Sequence, residues 1–181
     1  MAASSGSRRR RVSCWLLAGF CGCGTSGDSP PTPRDLPRPL IRLTLERTPC
    51  FGFCPEYEIQ ANAYGTAAFR GLRRWKGIER SWQIDPDSFR SLAAELSRLR
   101  FFELRDITPD TPACGDVATD HPSIVLTASD GTREHRVSYY LGCRGLDSLP
   151  VMLASIANRL DSVTGAARLV DSLQQARPGP H

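Results

Sequence analysis

The sequence predicts an α+β domain: a mainly antiparallel sheet built from hairpins, with two or three helices packed on one face. Three observations predict it. Short segments between residues 41 and 84, and again between 124 and 140, alternate apolar and polar side chains with the period of a half-buried strand. Two later stretches, after Asp85 and after Asp147, repeat apolar residues at helical spacing. The order strands, helix, strands, helix lacks regular β-α alternation and any Gly-rich phosphate loop, which argues against doubly wound nucleotide folds. At 181 residues and 40% apolar composition the chain holds one core plus appendages.

The first appendage is read as an export signal. Arg8 to Arg11 precede Val12-Ser13-Cys14-Trp15-Leu16-Leu17-Ala18-Gly19-Phe20, an apolar run much shorter than the roughly 20 residues a membrane-spanning helix needs. Phe20-Cys21-Gly22-Cys23 resembles a bacterial lipobox, and Cys23, behind the small Gly22, is the expected lipidation site. Cys21 and Phe20 depart from that pattern. Ordinary cleavage near Gly22 or Gly24, releasing a soluble secreted chain, is the alternative, and a twin-arginine signal lacks its consensus. Residues 24–39 hold five prolines and almost no large apolar side chain, so they are expected to form a semi-extended tether. The formal charge of +4 resides in Arg8 to Arg11, and residues 40–181 carry 17 basic against 17 acidic side chains. A domain without a basic excess lacks the footprint of a nucleic-acid binder.

The expected domain spans 40–176, followed by a tail at 177–181. Ile41, Leu43 and Leu45 define the buried face of a first strand, and Tyr57, Ile59 and Ala61 that of a second, which turns at Tyr64-Gly65 into Thr66 to Arg70. A basic turn, Arg73-Arg74-Trp75-Lys76-Gly77, leads to an alternating run with Ile78, Trp82 and Ile84. Asp85-Pro86 is a helix entry, because aspartate accepts from free first-turn amides and proline fits the first helical position. Phe89, Leu92, Ala93, Leu96 and Leu99 form its buried stripe, and Phe101, Phe102 and Leu104 dock its end on the sheet. A polar loop, Thr108 to Asp120, carries Cys114. A second hairpin follows, turning at Asp130-Gly131, with His135, Val137 and Tyr139 on one face. The clearest helix, capped by Asp147 or Ser148, places Leu149, Met152, Leu153, Ile156, Ala157, Leu160 and Val163 on one stripe. Gly165 bends or interrupts it before Ala166, Leu169, Val170 and Leu173, and Pro178 ends it.

Of seven cysteines, Cys50, Cys54, Cys114 and Cys143 fall in the domain. An even number in an exported domain argues for two disulfides, and four cysteines allow three connectivities. Cys50 with Cys54 and Cys114 with Cys143 is preferred, since the second pair flanks the second hairpin. Loop entropy gives that bridge about 3.5 kcal/mol and the short loop about 2 kcal/mol. Cys50-Phe51-Gly52-Phe53-Cys54-Pro55-Glu56-Tyr57 reads as a cross-linked turn: Gly52 permits the tight path and Pro55 leads into the strand of Tyr57. A competing reading makes Cys50 and Cys54 a thiol-redox or copper site, as in thioredoxin-like copper assembly proteins. There the motif opens a helix; here strand-like alternation follows. A disulfide buried under Phe51 or Phe53 would favour the structural reading, and an exposed, reducible one the redox reading. Zinc is a weaker expectation, because His121 and His135 lack helically spaced partners. Asp116, Asp120 and His121 suggest solvated turns more than acid-base chemistry, and no Ser-His-Asp order can be argued. Arg70, Arg73, Arg74 and Lys76 beside Trp75 suit a solvated hairpin face, or contact with anionic lipid or glycan.

The Cys50 to Tyr57 string, the Gly-punctuated hairpin, Phe101-Phe102-Glu103-Leu104 and Thr119-Asp120-His121-Pro122 together resemble an uncharacterised bacterial family, domain of unknown function 6438, over about residues 40–165. The resemblance implies an envelope α+β domain, often behind a lipoprotein signal, with no established activity and hence no catalytic residues to transfer. The expected protein is a non-enzymatic envelope module, lipid-anchored at Cys23 on the periplasmic side of the outer membrane or on the cell surface. It would bind an envelope protein or glycan partner and no nucleic acid, without cofactor or metal.

Overall fold

The computed structural model describes residues 38–145 and 148–176. The expected signal, Cys23, most of the tether, Asp147 and Pro178 lie outside the described residues. Six strands, β1 (Arg42–Arg47), β2 (Tyr57–Asn62), β3 (Thr66–Gly71), β4 (Glu79–Gln83), β5 (Ser123–Ser129) and β6 (Glu134–Tyr140), form one sheet in the order β4-β3-β2-β1-β5-β6. Every pairing is antiparallel. Three helices, α1 (Pro86–Arg98), α2 (Ser148–Thr164) and α3 (Ala166–Ala176), complete the α+β fold.

Register explains why one face is dry. Leu43 lies opposite Ala61 and Ala128, and Leu45 opposite Ile59 and Leu126. Phe69 and Val137 extend the same rows outward. All eight are buried, because side chains opposite one another in neighbouring strands share a face. Of the other parity, Thr44 and Gln60 are half-buried and Arg70 is exposed, whereas Val125 and Ser129 on β5 are buried.

Helix α1 starts where expected: Asp85 accepts from the amides of Asp87 and Ser88 at 3.2 and 3.0 Å, and Pro86 occupies the first turn. Phe89, Leu92 and Leu96 are its buried residues. A 3₁₀ turn, Phe101–Glu103, then sinks Phe101 into the core and holds His135, whose Nε2 lies 2.8 Å from the Leu104 carbonyl. That histidine is a packed hydrogen-bonding group. The basic turn is also a 3₁₀ turn, Arg73–Trp75, with Trp75 buried beside Tyr57 and only its arginines outward.

Helix α2 corrects the expected stripe at two points. Met152 is 42% exposed, whereas Asp161 and Thr164, polar and absent from the expected stripe, are buried. The burial wedge runs through Leu153, Ala157, Leu160, Asp161 and Thr164 because α2 packs against the sheet, α1 and α3. Gly165, at φ +76°, separates α2 from α3 in a backbone conformation that L side chains rarely adopt. Trp82 Nε1 donates to the Thr164 carbonyl at 2.6 Å and so ties the helix break to β4. An Arg159–Glu95 ion pair joins α2 to α1.

Candidate functional site

The strand parity that builds the core also carries Arg47 and Tyr57 onto the core face. Arg47 continues the row of Leu43 and Leu45, and it sits opposite Tyr57 on β2 and Ile124 on β5. Asp161 reaches the same place from α2, one turn beyond Ala157. Arg47 donates to Asp161 Oδ2 through Nε at 2.9 Å and Nη2 at 2.6 Å, to the Tyr57 hydroxyl through Nε at 2.9 Å, and to Asn158 Oδ1 through Nη2 at 2.9 Å. The Asp161 side chain is 7% exposed and that of Arg47 20%. Asp161 Oδ1 has no hydrogen-bond partner among the described residues.

Electrostatics follow from this burial. Desolvation raises the Asp161 pKa above the usual carboxylate range, although the charge and hydrogen bonds of Arg47 and the hydroxyl of Tyr57 oppose it. Burial, and then the neighbouring Asp161 charge, push the Tyr57 phenol well above its ordinary value, with Arg47 only partly offsetting them. Burial alone would lower the Arg47 pKa, but Asp161 and Tyr57 outweigh it and the net shift is upward. The cluster is therefore a desolvated Arg47–Asp161 pair, at 2.6 Å, beside a phenol whose ionisation burial disfavours.

Beside it lies a cavity of about 280 Å³. Arg47, Tyr57 and Asp161 line it together with Cys54, Pro55, Pro122, Leu141 and Val170. Thr48 and Ser123, also in the wall, are bonded to each other: Ser123 N donates to Thr48 Oγ1 at 2.7 Å, and Thr48 N to the Ser123 carbonyl at 3.0 Å. Two sequence strings remote from one another, Cys50 to Tyr57 and Thr119 to Pro122, thus meet at one wall. The profile of the domain of unknown function (DUF6438) matches residues 41–164. The chain belongs to this family. No curated protein matches it.

In this DUF6438 domain Cys50 is joined to Cys54 and Cys114 to Cys143. The second bridge is buried, Cys114 fully and Cys143 to within 7%. Around the first, the phenylalanines do not cover the bridge: Phe51 is 88% exposed and Phe53 60%, with the Arg74 guanidinium 5.5 Å from the Phe53 ring. Cys50 and Cys54 themselves are half-buried. Gly52, at the loop tip, has φ +140°. Pro55 leads into β2, so no helix begins at the motif, and Tyr57 packs against Phe69 with ring centroids 5.3 Å apart.

The remaining candidates do not converge. His121 is exposed, its amide donating to the Tyr140 hydroxyl at 3.2 Å, and Asp116 and Asp120 are exposed loop residues. Among the described residues no group of three or more His, Cys, Asp and Glu side chains is placed to hold a metal ion. No described helix is long and apolar enough to cross a membrane. Arg47 and Asp161 are the site residues that the sequence reading missed. The signal for Arg47 was its parity, two residues beyond Leu45; that for Asp161 was its position four residues after buried Ala157.

Proposed function

We propose that the chain is an exported envelope protein, tethered by a lipid on Cys23, whose domain is a non-enzymatic module that binds an envelope glycan or protein in the cavity under the Cys50–Cys54 loop. The convergence of the two family-like strings on the walls of that cavity carries the reading. Its non-enzymatic character is supported by the state of its polar groups. Acid-base catalysis needs a group free to exchange a proton with a substrate; the Arg47 guanidinium and the Tyr57 phenol are both shifted upward, away from the working pH, and Asp161 is engaged through Oδ2 by Arg47 at 2.6 Å. Export is supported by two disulfides within one small domain, a usage typical of oxidising compartments.

Two experiments test it. Palmitate should label the chain but not its Cys23→Ala variant, and globomycin should make an unprocessed precursor accumulate; normal processing under globomycin refutes the lipid tether. Titration with peptidoglycan fragments, envelope glycans and envelope-protein fractions should shift the NMR signals of Arg47 Nε–H, Leu141 and Val170. Ligands that bind while leaving these signals in place refute the cavity as the site.

A second reading, thiol exchange at Cys50 and Cys54, is favoured by the uncovered state of their loop. A reduction potential below about −300 mV would make this bond structural and dismiss the reading.

A further inference from the structure

The cavity of about 280 Å³ beside Arg47 has a wall of two chemical kinds. Pro55, Leu141 and Val170 give it an apolar lining, and its charged side chains are Arg47, Asp161 and Asp171. Arg47 is already shared among three acceptors, since Nε and Nη2 reach Asp161 Oδ2, the Tyr57 hydroxyl and Asn158 Oδ1. The Asp161 side chain is 7% exposed, and its Oδ1 is a buried acceptor without a hydrogen-bond partner among the described residues. A buried carboxylate oxygen left without a donor is costly, so a ligand that brings one gains what the folded chain forgoes. Asp171 stands exposed on α3 at the rim and has no ion-pair partner among the described residues. Arg168, one turn earlier on α3, lines a separate hollow against Trp82. One guanidinium thus faces two carboxylates, which leaves the wall with an excess of negative charge.

With the cavity taken as the binding site, a reading on which this one rests, we propose that the group it receives is a primary ammonium at the end of an unbranched apolar arm, the terminus of a lysyl side chain or of a free alkylamine. The ammonium supplies the donor that Asp161 Oδ1 lacks, Asp171 is its second counter-charge, and the arm lies against Leu141 and Val170. Three donors and one compact positive charge match both the orphan acceptor and the excess of carboxylate. A sugar hydroxyl brings a donor but leaves Asp171 without a counter-charge. A carboxylate or phosphate meets two like charges and a guanidinium whose Nε and Nη2 are engaged.

The oxidised full chain is titrated with n-butylamine, a cation at pH 7, and in parallel with n-butanol and butyrate, its neutral and anionic counterparts, while NMR follows the methyl signals of Leu141 and Val170. Butylammonium should shift both signals saturably below about 50 mM and bind at least about fivefold more tightly than butanol. Asp171→Asn, at an exposed position, should weaken it about two- to fivefold, and Asp161→Asn at least about tenfold. Near-UV circular dichroism checks the fold, and Asp171→Asn alone decides should Asp161→Asn disturb it. End-blocked Gly-Lys-Gly set against its Nε-acetyl form separates the two sources: binding of the unacetylated peptide alone marks a lysyl side chain, and exclusion of both marks a free amine. Equal binding of butanol, tighter binding of butyrate, an affinity unmoved by the substitutions, or no saturable shift overturns the proposal. Glycans that shift Leu141 and Val170 where butylammonium does not leave the cavity standing as the site and remove the ammonium. Butylammonium that binds with both signals unmoved removes the cavity itself.

Discussion

Replacing Arg47 by methionine would remove a charge while keeping an unbranched apolar stem, and so expose what the buried ion pair contributes. Asp161 would then retain only the Tyr57 hydroxyl near its carboxylate, with Oδ1 already lacking a partner. Breaking a buried pair costs about 3–5 kcal/mol, since the surviving charge stays desolvated. Here the partial exposure of Arg47, 20% of its side chain, puts the loss nearer about 3 kcal/mol at pH 7. The sign with pH is fixed by Asp161. Its folded-state pKa is already raised by burial, and loss of Arg47 removes the main opposing influence, so the folded state binds the proton more tightly than the unfolded chain. The folded variant should therefore regain stability as pH falls from 7 towards 5 and lose it again as pH rises through the raised value. Urea denaturation of the oxidised protein at both pH values measures this. The double variant Arg47→Met/Asp161→Leu, with no charge left to strand, should lie within about 1 kcal/mol of the parent. A double variant as unstable as Arg47→Met, or a loss independent of pH, would refute the reasoning.

Gly71→Ala should cost about 3 kcal/mol in thermal or urea denaturation, because a Cβ there would lie 2.3 Å from the Trp75 carbonyl oxygen; an unchanged midpoint would show that the Arg73–Trp75 turn can shift. At the β5–β6 turn, burial would raise the Asp130 pKa, but the amides of Arg133 and Thr132 and their side chains hold it far below the usual carboxylate range. Its contribution is thus present above the unfolded pKa and lost as pH falls, and Asp130→Asn should flatten the acid limb of the stability curve. Under limiting reductant, alkylation followed by mass spectrometry should label Cys50 and Cys54 before Cys114 and Cys143, since only the second pair is buried. Loss of the longer link should cost about 3.5 kcal/mol against about 2 kcal/mol for the shorter.

The strands and α1 were legible because each keeps one clean period: Leu43-Leu45 and Ile59-Ala61 alternate, and Phe89, Leu92 and Leu96 recur on one helical face. The fold class follows from those periods. The pairing of β1 with β5 was not legible, because register between distant strands depends on tertiary packing that no local pattern encodes. Met152 misled because periodicity marks a stripe without saying how far the covering elements reach. Asp161 was missed for the opposite reason: a carboxylate on a helix is ordinarily solvated, and only Arg47, contributed by a strand on the far side of the chain, makes its burial tolerable. The exposure of Phe51 and Phe53 was equally hidden, since the string between the two cysteines fits rings laid over the bridge as well as rings in solvent.

Central placement of β1 has a consequence for how the molecule opens. One half of the sheet, β1 to β4, is a local meander, while β5 and β6 form a separate hairpin that joins it along β1, with Arg47 beside Ile124. Neither covalent link crosses that joint: Cys50 and Cys54 lie between β1 and β2, and Cys114 and Cys143 flank the β5–β6 hairpin. An oxidised chain that parts along the joint keeps both links intact and bares two unpaired strand edges of matching register. Two such chains can close on each other, exchanging halves, so dimers formed on heating under oxidising conditions should dissolve in denaturant without reductant.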